Sequence, residues 1–404
     1  MIKRDLYINQ LNDLVNTKTL KILTGVHGCG KSCILLSFAD SLKDEKNNVI
    51  YLDFNSLKNR NYTSYLKLYD FLSERIMDNK MNYIIFDNIR KVENWYEVIN
   101  SLSVDYNNID FFISGLSENL EDSELSKHLS WPIIEVNILP LSFKEYLKFN
   151  DEYWDDDLDI NGKFKDYLHF GGFPVIFEHK KSDLIFNNII EGIYNTIIFK
   201  DLISNYKIKN PLLLNEIFYF TINNLGEYLS SKKISEYFIT EGVKTTPTTV
   251  LEYLKYFDKS YLFYSVKRFN LKCDVYLRTL EKHYVCDLGL RNFILGFDDE
   301  YSNGVLENLV YFELLRRNYK VSTVKYNAHK VDFMAKSVDK TIYIQILKNL
   351  DDDLLNMKLD DLNSIKDNYE KMIISFDKTH IKNIHGIKIV NIIDFLLEED
   401  NLIA

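Results

Sequence analysis

The sequence predicts an α/β protein in three parts: an N-terminal parallel sheet layered with helices, a helical middle, and a second α/β module. Three observations carry that prediction. Short apolar runs alternate with segments apolar at helical spacing through the first part of the chain, the pattern of strands joined by crossover helices. One of those runs, Leu20-Lys21-Ile22-Leu23, leads directly into a glycine-rich turn and then a helical pattern. The last part runs helix, strand, strand, helix, strand between Gly304 and Ser375.

A chain of 404 residues with 46% hydrophobic and 14% aromatic content has material for two or three real cores and is not disordered. The divisions expected are 1–150, 151–210, 211–280 and 281–404. A net charge of −10 excludes a global field that would draw the chain to nucleic acid, so any such contact needs a local basic face. The four cysteines, Cys29, Cys33, Cys273 and Cys286, have no metal-ligand spacing and suit a reducing compartment. Small buried side chains are expected at Cys29 and Cys33. No run approaches the roughly 18 apolar residues of a membrane span, and no signal core follows Lys3 and Arg4. A soluble, cytoplasmic protein is the expectation.

The elements follow in order. A helix is expected from about Lys3 to Val15, then the strand Leu20–Leu23. Thr24-Gly25-Val26-His27-Gly28-Cys29-Gly30-Lys31-Ser32 fits G-x-x-x-x-G-K-[S/T], with the helix Cys33–Leu42 behind it. Gly25, Gly28 and Gly30 let the backbone aim its N–H groups inward at phosphate oxygens, flanked by Val26, His27, Cys29 and Cys33. Lys31 reaches the terminal phosphates of a nucleotide, and the Ser32 hydroxyl ligates Mg²⁺. A chain with only 14 glycines places three of them here, which makes a chance match a poor explanation. The next strands are Asn48–Phe54, then Asn82–Asp87, then Ile109–Ser114. Asp87 ends its strand where a carboxylate holds the Mg²⁺ shell opposite Ser32.

On these segments the chain resembles bacterial and archaeal AAA-type ATPases fused to a C-terminal domain of unknown function with a restriction-endonuclease-like fold. The likeness rests on Gly25–Ser32, Ile84-Ile85-Phe86-Asp87-Asn88-Ile89, Ile113-Ser114-Gly115, Leu139-Pro140-Leu141-Ser142-Phe143-Lys144-Glu145-Tyr146 and Gly171-Gly172-Phe173-Pro174. It continues through Lys282-His283-Tyr284-Val285-Cys286-Asp287-Leu288-Gly289-Leu290-Arg291-Asn292 and Leu306-Glu307-Asn308-Leu309-Val310-Tyr311. The resemblance implies ATP and Mg²⁺ as cofactors, Lys31 as phosphate ligand, Ser32 and Asp87 as metal ligands, and Ser114 as a sensor of the terminal phosphate.

Two departures bear on hydrolysis. Asn88 stands where the family usually has a glutamate, and an amide cannot accept a proton from the attacking water. Trp131-Pro132 stands where the family often has Gly-Arg, removing an arginine worth ~10³ or more in rate where it operates. The chain is therefore expected to hold Mg·ATP and to hydrolyse it slowly or only with a partner. Asn88 and Ser114 remain the weak catalytic candidates, and Glu93, Glu97 or Glu118 are the acids nearest in sequence that could substitute.

The acidic run Asp151–Asp157 reads as an exposed linker, and 164–206 as a helical lid broken at Gly171–Pro174. Helices from Pro211, Ser231 and Pro247, with strands near Leu262–Val266 and Val275–Leu277, describe a winged helix-turn-helix. Thr245 or Thr246 is the expected cap of the third helix. Lys244, Thr248, Thr249, Lys255, Lys267, Arg268 and Lys272 are its candidate contacts. Threonines, glutamate and a lone lysine on the would-be reading helix favour a protein-contact role over base readout.

In the last module Glu307 on a helix and Asp332 on a strand occupy the first two places of a restriction-endonuclease-like metal site. Gln345 stands at the third, and Lys348 falls one residue late, on the opposite strand face from Gln345. A vestigial site is the expectation. The leading reading is a nucleotide-dependent switch, with a nucleotide-gated nuclease in defence against foreign DNA and a winged-helix DNA-binding regulator as alternatives. A protein partner and a homo-oligomer are both open.

Overall fold

The computed structural model describes residues 2–115, 125–277, 279–298 and 301–398. The chain forms two compact units: Met1–Pro140 with Lys259–Tyr261, and Leu141–Asp258 with Leu262–Ala404.

The first unit is a five-stranded, wholly parallel sheet. Its strands are β1 (Leu20–Thr24), β2 (Asn47–Asp53), β3 (Met81–Asp87), β4 (Ile109–Ser114) and β5 (Ile133–Asn137), in the order β2-β3-β4-β1-β5. Parallel strands need crossovers, and α2 (Lys31–Ser41), α3 (Tyr65–Ser73) and α4 (Trp95–Asp105) supply them; α1 (Asp5–Asp13) precedes the sheet, and the short α5 (Leu125–His128) leads into β5. The three central strands are buried along almost their whole length, as sheets covered on both faces require. Ile84, Phe86, Phe111 and Ile113 meet Leu68, Leu72, Val98 and Leu102 of the crossover helices in one apolar cluster. Burying a side chain of this size contributes roughly 1.5–3 kcal/mol before entropy is charged against it.

One buried pair runs against that pattern. Lys21 in β1 and Asp110 in β4 are both sealed from solvent and form an ion pair, with the Asn16 backbone N–H donating to the second carboxylate oxygen. The aliphatic stem of Lys21 suits the apolar strand, while its ammonium needs the carboxylate to be tolerated there.

The second unit opens with α6 (Phe143–Tyr153), whose start is a capping box between Ser142 and Glu145. Helices α7 (Ile160–Phe170) and α8 (Asp183–Asn195) follow, and α8 runs on as a π-helical stretch over Thr196–Ser204. The acidic run is not a plain linker. Its first part is the end of α6, and Asp151 and Asp156 pair with Lys163 and Lys181.

Next come α9 (Pro211–Asn223), α10 (Ser231–Thr240) and α11 (Pro247–Lys259), with Thr246 accepting the Thr249 N–H at the start of α11. Strand β6 (Phe263–Val266) pairs antiparallel with β9 (Lys282–Val285). The hairpin of β7 (Arg268–Asn270) and β8 (Val275–Tyr276) joins the C-terminal sheet instead, through parallel pairing of β7 with β10 (Lys320–Tyr326).

That sheet also holds β11 (His329–Lys336), β12 (Thr341–Leu347), β13 (Glu370–Ser375), β14 (Asn383–Ile384) and β15 (Ile387–Asn391). Its order is β14-β15-β13-β12-β11-β10-β7-β8. Helix α12 (Leu288–Leu295) precedes α13 (Asn303–Arg316), which is buried over most of its length, while α15 (Ile392–Leu397) ends the described chain. Helix α14 (Asp352–Ser364) buries Leu359 and Leu362 against Val331, Tyr343 and Ile373. Among the described residues no helix is long and apolar enough to cross a membrane.

Candidate functional site

The glycine-rich turn of the first unit links the end of β1 to the start of α2. Gly25, Gly28 and Gly30 all have positive φ, and Gly30, at the N-cap of α2 in the left-handed region, has no side chain to bond the first-turn N–H groups. Those donors face the position an anion takes at a helix start. The Lys31 ammonium folds back on the turn, donating to the carbonyls of Gly25 at 2.8 Å and Val26 at 2.9 Å, with Cys29 Sγ at 3.7 Å. A glycine-rich turn at a helix start, closed by a lysine that donates to backbone carbonyls and the Cys29 sulfur, fits a polyphosphate, whose oxygens are the stronger partners for that ammonium. Ser32 is exposed at the first turn of α2. Cys29 is buried as expected; Cys33 is exposed, against expectation, because it falls on the outer face of α2 while Ile34 and Leu35 take the inner one.

At the carboxyl ends of the neighbouring strands, Asp87 and Ser114 meet. The Ser114 hydroxyl donates to one carboxylate oxygen of Asp87 and the Tyr51 hydroxyl to the other at 3.2 Å. Asp87 is therefore held by two neutral hydroxyls, with lone pairs left on its oxygens for a cation. Asn88 follows in the left-handed conformation, φ 58°. Its backbone N–H donates to Ser114 at 3.3 Å, and its side-chain amide donates to Asp53 Oδ1 at 3.3 Å. Gly115 makes this corner: a Cβ there would lie 2.4 Å from the Asn88 Cα.

Of the substitute acids, Glu93 and Glu97 lie beyond the turn after β3, Glu97 in the first turn of α4, and Glu118 lies outside the described residues. Sequence reasoning passed over Asp53, the last residue of β2, which pairs in register with Asp87. Its signal was there to read: a carboxylate at the carboxyl end of a second parallel strand. Trp131 and Pro132 serve the sheet, the Trp131 ring packing edge-on against Phe111 and the Pro132 carbonyl accepting the Leu20 N–H.

A second constellation lies wholly within the C-terminal unit. Lys282 of β9 donates to Glu307 of α13 at 2.8 Å, and the Tyr284 hydroxyl donates to the same oxygen at 2.6 Å. The Lys282 ammonium is also 3.9 Å from Asp332 Oδ1. Asp332 Oδ2 and the Gln345 side-chain oxygen both accept from Lys358 of α14, at 2.8 and 2.7 Å. Glu307, Asp332 and Gln345 thus converge as the sequence suggested, but the lysine does not come from the strand. β12 runs without a register shift through Leu347, which is core, and Lys348 lies past its end with its backbone N–H on Asn303. The lysine that meets Gln345 is Lys358, carried in by the next helix.

The cluster is electrically balanced, two ammonium groups against two carboxylates. Burial pulls the Lys282 ammonium down, but the carboxylates of Glu307 and Asp332 overcome this and hold it above its ordinary value. Burial pushes the Glu307 carboxyl up despite Lys282. Burial also acts on Asp332, but Lys358 and Lys282 outweigh it and keep that carboxyl low.

Asp258, Ser265 and His283 also meet, and their order excludes a hydrolase triad. Ser265 donates to Asp258 at 2.6 Å and lies 2.9 Å from His283 Nδ1, so the acid touches the serine and does not orient the histidine. Burial pushes the Asp258 carboxyl up to about 7 and the His283 imidazole down to about 4. An acid raised in the folded state contributes stability below its unfolded value near 4 and loses it as pH rises through the folded one. Asp258→Asn should therefore gain stability relative to the parent chain, by roughly 1–3 kcal/mol, between about pH 5 and pH 8. Denaturation curves at the two pH values check this, and a difference that does not change with pH contradicts it.

Comparison with known proteins places these sites in context. The AAA domain family matches residues 17–147, the span of the phosphate turn, Asp87 and Ser114. An uncharacterised protein of Haemophilus influenzae is 30% identical over 402 residues, covering 98% of this chain and 99% of its own length. The chain belongs to that protein's family. Its first unit is an AAA-type phosphate-loop domain. The family's middle segment, residues 161–301, matches a domain of unknown function, DUF8612, which here spans α7 to α12 and lies centrally, before the Glu307–Asp332 module. An uncharacterised family relative from Methanocaldococcus jannaschii is 27% identical over 413 residues, 94% of this chain and 89% of its own. Among solved structures, a Walker-type ATPase of Pyrococcus abyssi covers 73% of this chain and 96% of its own at 12% identity, with a TM-score of 0.49.

Proposed function

We propose that this family member is a Mg·ATP-binding AAA-type protein that works as a nucleotide-dependent switch, with slow or partner-dependent hydrolysis. The observation that carries the reading is the pairing of an intact phosphate turn, Gly25–Ser32, with Asp87 presented by Ser114 and Tyr51 at the neighbouring strand ends. Lys31 and the N-terminal amides of α2 would hold the phosphates. Ser32 and Asp87 would hold Mg²⁺, which supplies charge neutralisation at the terminal phosphate. The amide at Asn88 removes the base expected at that position, so binding outlasts turnover.

Equilibrium binding of a fluorescent ATP analogue tests this directly. The parent chain should bind in a Mg²⁺-dependent manner, and Lys31→Ala should weaken binding about 100-fold while leaving the melting temperature in place, the loss of a charge-assisted phosphate contact in a dry turn. No Mg²⁺-dependent binding by the parent chain, or equal binding by the variant, sinks the proposal.

A second reading has its own observation. Glu307, Asp332 and Gln345 meet a lysine, Lys358, the combination used for metal-dependent phosphodiester cleavage on restriction-endonuclease-like folds. Against it, both carboxylates are already answered by ammonium groups, and among the described residues no three acidic, histidine or cysteine side chains gather as a metal site. Mg²⁺-dependent nicking that disappears in Asp332→Ala supports this reading. Intact DNA and RNA substrates after long incubation with the parent chain retire it.

A further inference from the structure

We infer that Asp53, at the carboxyl end of β2, is the general base for ATP hydrolysis in this chain, taking the role that Asn88 cannot perform. The inference rests on the Mg·ATP reading above.

The register of the sheet carries the argument. β2 and β3 pair in parallel with Asp53 opposite Asp87, so two carboxylates stand side by side at the strand ends where the ligand of an open parallel sheet binds. They have different surroundings. Asp87 is buried and committed on both oxygens, to the Ser114 and Tyr51 hydroxyls. Asp53 is half-buried, and both of its hydrogen bonds, from the Asn55 backbone N–H at 2.8 Å and the Asn88 amide at 3.3 Å, fall on Oδ1. Its Oδ2 has no hydrogen bond among the described residues. One carboxylate is thus fixed and shielded, suited to a metal shell, while the other has an oriented, unused oxygen.

Asn88 then has a positive role. A glutamate at this position would bring a second negative charge against Asp53, whereas the amide donates to it and fixes the carboxylate plane. The residue's left-handed backbone is held by the Ser114 hydroxyl and the close approach of Gly115, so the amide is presented from a rigid corner. In the step itself, Asp53 Oδ2 accepts a proton from water as the water oxygen bonds to the terminal phosphorus. The bond from that phosphorus to the bridging oxygen breaks, and ADP carries the electron pair away. The carboxylic acid then returns its proton to solvent.

Single-turnover hydrolysis of radiolabelled ATP and equilibrium binding of Mg·ATP, measured on the full-length chain, test the assignment together. Asp53→Asn keeps the acceptor that Asn55 uses, so it should fold and bind Mg·ATP within about threefold of the parent while hydrolysing it at least about 100-fold more slowly, the ordinary contribution of a positioned base. Asp53→Glu should recover part of the rate. The double variant Asp53→Asn with Asn88→Glu, which moves the carboxylate to the neighbouring strand, should recover it too. Absence of Mg·ATP binding by the parent chain would defeat the binding reading and this inference with it. Binding without any turnover, or turnover unchanged in Asp53→Asn, overturns the inference alone. So does a rate lost in Asp53→Asn but regained at higher Mg²⁺, because that places Asp53 in the metal shell.

Discussion

Lys282→Ala should destabilise the C-terminal unit by about 3–5 kcal/mol, because it leaves the buried Glu307 carboxylate without its counter-charge. Lys282 is 5% exposed, and its ammonium is the common partner of Glu307 and Asp332. With it gone, Glu307 keeps, among the described residues, the Tyr284 hydroxyl, and Asp332 keeps Lys358 and the Ile346 N–H. The pair Lys282→Met with Glu307→Gln removes both charges together and should return most of the loss, since balanced apolar replacements of buried ion pairs are close to neutral. Chemical denaturation with hydrogen exchange on β9 and α13 measures both. A loss under about 1 kcal/mol for Lys282→Ala contradicts the buried-cluster account.

Gly25→Ala should abolish Mg·ATP binding and unsettle the first unit at the same time. Gly25 has φ +127°, and a Cβ there would lie 2.2 Å from the carbonyl oxygen of Ile138. That carbonyl has little freedom to retreat, because the Ile138 N–H is bonded to Thr24 at 2.9 Å. The strained backbone costs about 1–2 kcal/mol and the clash adds to it. Loss of binding in Lys31→Ala leaves the fold in place, whereas loss in Gly25→Ala comes with a lower melting temperature. Parent-like affinity in Gly25→Ala would show that the turn is not shaped as described.

The elements that were legible in the chain are those whose signal is local. The turn Gly25–Ser32 is contiguous, and its neighbours state its context: an apolar run before, a helical period after. Asp87 and Ser114 were legible for the same reason, each being the last residue of an apolar run. A threonine cap at 245 or 246 was legible because Pro247 marks the first turn of its helix, and the Thr249 N–H selects Thr246. The acidic run around Asp151 misled, since charge density looks like a loop whether or not helix α6 continues into it. Cys33 misled because the phase of a helix is poorly fixed over its first turn.

The sequence by itself determined that a phosphate-type turn follows the first strand and that parallel strands carry it. Only the tertiary structure decided which side chains meet Asn88 and Gln345. Lys358 comes from a helix and Asp53 from a strand distant in sequence from Asn88, and neither spacing along the chain nor periodicity encodes such meetings. The reason is physical. Hydrophobic period fixes which face an element buries, but strand order and register are set by how all the elements pack together. A side chain arriving from a non-adjacent element becomes a neighbour only when that packing is complete.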